Sequence, residues 1–206
     1  MRNAIVFVDW DTARRLGPRH KLPAKNINAE ARRIDDAFAH LRQVVADTLA
    51  SIDPREVFRV RWRLYHGWFS GQTKTDDFRA VEAFRADLRT TTIGKISFGA
   101  DLTVATSMLC GGPRMPLYDT LRAGIDAPGE FRQKMVDTGL VGDLLQSARS
   151  AGEDVHVVIA DDDDLLPGLF MAEAWGVKVL MLRQQAPSTH LKTSGLWKSI
   201  RGVRYD

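Results

Sequence analysis

The stretch Val155-His156-Val157-Val158-Ile159-Ala160-Asp161-Asp162-Asp163-Asp164-Leu165-Leu166-Pro167 is an apolar run, rich in branched residues, that breaks into four aspartates and then a proline. The run predicts a buried strand and the proline the start of a helix over about Pro167 to Trp175, with Gly176 as its stop. A further apolar run, Val177 to Leu182, predicts another buried strand. The chain opens the same way. Asn3-Ala4-Ile5-Val6-Phe7-Val8 is short and apolar, reads as a strand, and ends at Asp9. Between these ends, Asn28 to about Ala50 carries Ile34, Phe38, Leu41, Val45 and Leu49 at helical spacing. Val57 to Tyr65 alternates as a half-buried strand with a basic face, and Asp77 to Thr90 reads as a short amphipathic helix. A strand is expected near Ile93 to Phe98 and a helix from about Phe131 to Arg149; Arg14 to Lys25 reads as a loop. Strands alternating with helices predict an α/β fold, a three-layer sandwich on a mostly parallel central sheet.

Composition narrows the class. With 206 residues, 44% hydrophobic and 27% charged, one globular domain over 1–206 is expected. Its middle, about 68–130, is the least regular part, and about 187–206 form a basic tail with Lys192, Lys198, Arg201 and Arg204. The single cysteine, Cys110, excludes an intramolecular disulfide framework and a multi-cysteine zinc site. Ala4 to Val8 is too short for a secretory core or a membrane span, so a soluble, cytoplasmic chain with no membrane partner is expected. The net charge of +3 is small, but with acid concentrated at Asp161–Asp164 the remaining surface is more basic than the total implies. That distribution suits an anionic polymer held around an acidic pocket.

In an open parallel sheet, residues just past the carboxyl ends of the strands share one rim, and ligands bind there. Asp9 and Asp161–Asp164 are therefore expected on that rim, together with Asp137 at the start of the Phe131–Arg149 helix. On a wheel of about 100° per residue with Asp137 at zero, Leu140, Val141, Leu144 and Ala148 fall near 300°, 40°, 340° and 20°. The carboxylate is thus expected within the apolar stripe, where a lone charge is costly unless a cation or dense hydrogen bonding meets it. The plainer reading is that it favours the helix dipole. Asp143 falls near 240° by the same count, toward solvent or behind the ligands. Two carboxylates about 4 Å apart repel by roughly 4 kcal/mol at an effective dielectric of 20. Gathering several calls for protonation or a divalent ion, and oxygen-only donors point to Mg²⁺ or Mn²⁺. The chemistry such a site permits is metal-assisted phosphodiester cleavage.

Val8-Asp9 after a strand, Lys134-Met135-Val136-Asp137 opening a helix, and Ile159 to Pro167 leading to Gly176-Val177-Lys178-Val179 together resemble the NYN branch of the PIN-like nucleases. The resemblance covers both ends and the 130s; Trp68 to Glu130 has no clear counterpart. Aligning Pro167 with the family's proline implies that Asp162 and Asp164 are its two late acidic positions, with Asp9 and Asp137 as the others. Asp9, Asp137 and Asp162 would then be direct ligands, and Asp164 a ligand or a holder of metal-bound water. Asp11, Thr12, Asp161, Asp143 and Lys134 would support them, with Thr12 standing where the family has asparagine. Ala160-Asp161 replaces a serine-glycine pair and Leu165 a phenylalanine. The implied activity is a metal-dependent ribonuclease, with RNA, single-stranded or structured, as partner; the 68–130 segment is a candidate homodimer contact. Arg14, Arg15, Lys21 and Lys25, after Asp9, are the expected contacts to the substrate backbone.

Two rival readings use the same residues. Asp9-Trp10-Asp11-Thr12 is similar to the opening of haloacid-dehalogenase-type phosphatases, with Asp9 as nucleophile, although threonine stands one place early and Ala13 follows. The other rival is an inactive NYN domain that binds RNA or a protein. Arg59, Arg61 and Arg63 read either as a phosphate-tracking stripe or as charges guarding an edge strand. Trp10 is placed to stack on a base or to pack against a helix, and His66 to touch substrate or to serve structure.

Overall fold

The computed structural model describes residues 1–15, 27–110, 116–124, 129–150, 154–184 and 197–199. Strands β1 (Arg2–Asp9), β2 (Phe58–Tyr65), β5 (Thr91–Ile93), β6 (Ile96–Val104), β9 (Val155–Ile159), β10 (Lys178–Arg183) and β11 (Trp197–Ser199) form one sheet in the order β11-β10-β9-β1-β2-β6-β5. All neighbours are parallel except β5, which pairs antiparallel with β6. Two small antiparallel ribbons stand beside it: β3 (Phe69–Ser70) with β4 (Thr73–Lys74), and β7 (Leu121–Ala123) with β8 (Phe131–Gln133).

Helices α2 (Ile27–Ile52) and α3 (Asp76–Asp87) cover one face, while α4 (Val136–Ser150) and α5 (Leu166–Ala174) cover the other. The central strands are buried on both sides, so their alternate residues feed two cores. Val6, Val157, Ile159 and Leu182 join the α2/α3 side; Phe7, Val158 and Met181 join the α4/α5 side. This is a three-layer α/β arrangement. Among the described residues no helix is long and apolar enough to cross a membrane.

From β1 the chain steps outward one way through β2 to β6 and β5. It then returns to β9 on the other flank of β1 and continues to β10 and β11. The order therefore reverses between β1 and β9, and the crevice beyond their carboxyl ends is where an open α/β sheet takes its ligand. Asp9 ends β1 and Asp161 follows β9 within two residues.

Several expectations change. The strand expected near Ile93 to Phe98 is a hairpin: β5 turns at Gly94 (φ 55°) into β6, which runs on to Val104. β6 absorbs Gly99–Asp101 as an irregularity opposite Val60–Trp62, because β2 supplies the ladder partners that local polarity does not reveal. The helix expected from Phe131 starts only at Val136; Phe131–Gln133 form β8, and Met135, at φ 63°, breaks the chain between them. A branched-side-chain penalty does not arise there, but the left-handed position still costs a non-glycine residue roughly 1 kcal/mol. β2 is a central strand, not an edge, and Arg63 is buried within it while Arg59 and Arg61 remain exposed. Of the basic tail, Trp197–Ser199 add the last parallel strand, pairing with Met181–Arg183. Gly176 (φ 82°) ends α5, where the Val177 amide closes back on the Ala172 carbonyl at 3.2 Å.

Helix α5 lies close on α4 because Gly168 faces Val141. A Cβ at position 168 would sit 2.6 Å from Val141 Cγ1. Gly168→Ala is expected to lower stability by about 1–3 kcal/mol through overpacking, measured by urea unfolding. Adding Val141→Ala should recover part of that loss.

Candidate active site

The first turn after β1 is built by Asp9. Its Oδ1 accepts from the Asp11 amide (3.0 Å), and its Oδ2 from the Thr12 amide (3.3 Å) and hydroxyl (2.7 Å), capping the short helix α1 (Trp10–Ala13). Thr12 Oγ1 in turn accepts from the Asp161 amide at 3.2 Å, tying the ends of β1 and β9 together. Burial in the cleft pushes the Asp9 carboxyl above its usual range; the Thr12 hydrogen bond pulls it down and the Asp11 charge pushes it up.

The four-aspartate run divides by direction. Asp161 and Asp163 turn toward β10. Asp161 Oδ1 accepts from the Gln184 amide (2.7 Å), its carbonyl accepts from Arg183 (2.6 Å), and Asp163 pairs with Arg183, which is buried. Asp162 and Asp164 are exposed, and Asp162 Oδ1 accepts from the Asp164 amide (2.9 Å) and caps the 3-10 turn Asp163–Leu165. Arg183 thus holds the odd pair in place, and of the four only Asp161 and Asp162 line the cleft. Arg183 escaped the reading of the sequence; its signal was its position at the end of the last apolar strand, on the same rim.

Asp137 sits in the first turn of α4, at the mouth of the same cleft, and is exposed rather than set in the apolar stripe. The buried face of α4 is Val136, Gly139, Leu140, Asp143, Leu144, Ser147 and Ala148, centred about a quarter turn away. The displacement has a cause: Gly139 and Ser147 pack closely, and Asp143 is neutralised. Its local dielectric still matters. A helix N-terminus favours a carboxylate and would lower its pKa. The Asp137 carboxyl is nevertheless pushed up to about 6, first by loss of water in the cleft, then by the charges of Asp162, Asp9 and Asp164. Three remote segments therefore bring four acids within each other's field, so repulsion and desolvation outweigh the helix dipole.

Asp143 does not face solvent or the ligands. It is 0% exposed and locked to Arg63 at 2.7 Å, to the Tyr65 hydroxyl at 2.7 Å and to the Leu109 amide at 2.6 Å. Arg63 also donates to the Ser107 carbonyl. This network holds β2, α4 and the segment after β6 together from inside. It removes Arg63 from the proposed stripe and Asp143 from the support of the ligands.

A cleft of about 730 Å³ is lined by Asp9, Asp11, Thr12, Asp137, Asp161 and Asp162 on one side. Arg14, Arg15, His66, Asp77 and the ribbon residues Leu121, Phe131, Arg132 and Gln133 complete it. Asp164 lies outside this lining although its charge reaches Asp137. His66 is 5% exposed and held between Asp77 (Nε2 to Oδ2, 3.0 Å) and Gln133 (Nδ1 to Nε2, 3.0 Å). Gln133 also donates to Asp11, and Arg14 pairs with Asp11 and Asp77. The His66 hydrogen bond and charge, with Arg14 beyond, hold the Asp77 carboxyl below its usual range against burial. Gln133 and Asp77 came from segments the sequence reading had not linked to the site. Trp10 is 2% exposed and stacks on Phe38, with centroids 5.7 Å apart, so its role is packing. Lys134 is exposed and absent from the cleft lining, and its amide donates to the Thr120 carbonyl. Lys21 and Lys25 lie outside the described residues.

The donor set fits a hard divalent cation in its chemistry: oxygen only, anionic, and with Asp137 raised by its acidic neighbours. Among the described residues, however, no three His, Cys, Asp or Glu side chains are drawn together as a finished metal cage. The raised Asp137 group has a measurable consequence without any metal. The folded state holds this proton above the ordinary 3.8, so its favourable contribution is complete below about pH 3.8 and is lost as pH rises through about 6. Melting of wild type and Asp137→Asn in EDTA should therefore converge near pH 4 and diverge toward pH 7, the variant being the more stable.

No protein-family model matches the sequence, and no curated protein or solved structure matches it either.

Proposed function

We propose that this chain is a divalent-metal-dependent ribonuclease of the PIN-like NYN type, acting on phosphodiester bonds at the crevice between β1 and β9. The observation that carries the reading is the convergence of Asp9, Asp137 and Asp162, from three separate segments, on one cleft at the switch point of a parallel sheet. Asp9, Asp137 and Asp162 would hold the ion, Mg²⁺ or Mn²⁺, with Asp164 at its outer side. A bound ion would activate water and stabilise the leaving oxygen. Thr12 and Asp161 orient Asp9 and the end of β9, while Arg15 and Arg132 line the cleft where a phosphodiester would lie. The phosphatase alternative is weaker because threonine stands one place early in the Asp9-Trp10-Asp11-Thr12 opening and Ala13 follows it.

The test is cleavage of labelled tRNA, single-stranded RNA and single-stranded DNA, each with Mn²⁺ and with EDTA. Cutting of RNA in Mn²⁺ and none in EDTA is expected. No cutting in Mn²⁺, or equal cutting in EDTA, overturns the reading.

A further inference from the structure

The ribbon β7–β8 stands at the cleft beside the acids, and it presents Phe131 with 60% of its surface open to solvent. The placement is firm. Gly67, next to His66, lets the ribbon sit close: a Cβ there would lie 3.0 Å from Leu121 Cδ1 and 3.3 Å from Gln133 Cγ. Thr120, just before β7, accepts through its hydroxyl from the Phe69 amide (3.1 Å) and through its carbonyl from the Lys134 amide (2.9 Å). The root of the ribbon is thereby fixed to β3 and to the turn that starts α4.

The exposed ring does not serve the core, and it belongs to neither buried apolar cluster. Beside it, Arg132 also lines the cleft, with Arg15 among the other lining residues. Among the described residues neither arginine has a carboxylate partner, whereas Arg14 is engaged by Asp11 and Asp77. An open aromatic face with cations that remain available is the pattern that holds an unpaired polynucleotide: the ring stacks on a base and the cations track the phosphates. A duplex keeps its bases stacked on each other and offers this ring no face.

We propose that Phe131 is a base-stacking platform and Arg132 its backbone contact, so that the cleft takes single-stranded rather than paired nucleic acid. This names the substrate form for the ribonuclease reading and rests on it for its purpose, but it is tested by binding alone. The probes are a short labelled single-stranded RNA and the same sequence in a duplex, titrated in EDTA so that nothing is cut.

Wild type should bind the single strand more tightly than the duplex. Phe131→Ala should weaken single-strand binding by about tenfold, the effect of removing one stacked base, and leave duplex binding unchanged. Phe131→Trp should keep it. Arg132→Ala should weaken binding of either form and flatten its dependence on salt. Melting temperatures should not move, because both side chains are exposed. Equal single-strand binding by wild type and Phe131→Ala, preference for the duplex, or no binding of either probe overturns the proposal. If Mn²⁺-dependent cutting persists while Phe131→Ala binds normally, only the platform is lost. Intact stacking without cutting leaves the platform and removes the nuclease.

Discussion

Asp162→Asn is expected to reduce Mn²⁺-dependent RNA cleavage by about a thousandfold or more, the equivalent of roughly 4 kcal/mol of transition-state stabilisation from a metal-held phosphoryl group. Asparagine keeps the oxygen that accepts from the Asp164 amide, so the cap of the turn Asp163–Leu165 survives. It removes only the charge. That charge is one of those pushing the Asp137 carboxyl upward, so the variant should melt no lower than wild type in EDTA. Millimolar Mn²⁺ should raise the melting temperature of wild type by mass action and have little effect on the variant. Single-turnover cleavage and thermal melting check the two halves separately. Wild-type cleavage by Asp162→Asn would show that the acids at this rim do not carry the chemistry.

Asp143→Ala should be the most damaging single substitution for stability, lowering it by about 3–5 kcal/mol because it strands a buried charge. Arg63 would lose the carboxylate it meets at 2.7 Å while remaining under α4, and the Tyr65 hydroxyl and Leu109 amide would lose their acceptor. Replacing both partners by apolar residues, Arg63→Met with Asp143→Leu, should recover much of that loss, since two desolvation costs then disappear together. Urea unfolding at neutral pH measures each variant. A double variant no better than Asp143→Ala would mean that the network contributes through its hydrogen bonds to Ser107 and Leu109 rather than through charge pairing.

Two aspartates of α4, six residues apart, divide sharply in space. Asp137 and Asp143 lie on one helix, and the wheel set the first inward and the second outward. The reverse occurs because hydropathy counts Gly139 and Ser147 as neutral and cannot see Arg63 arriving from β2. The ribbon was missed because Phe131 to Met135 hold no glycine or proline to stop a helix, and only the left-handed backbone at Met135 shows that the helix has not begun. β1, β9 and β10 were legible because a strand buried on both faces needs an unbroken apolar run, and no other element of that length does. The long helix α2 was legible by its period.

Local sequence therefore determined where strands end in acid, since a run of branched apolar residues cannot continue through Asp9 or Asp161. It also determined the α/β alternation. Which acids face the cleft was decided only by tertiary structure: Arg183 draws Asp163 to itself, Arg63 buries Asp143, and the reversal of strand order sets β1 beside β9. Each of those outcomes depends on a cation or a strand distant along the chain, and a carboxylate's environment is set by what packs against it rather than by its neighbours in sequence.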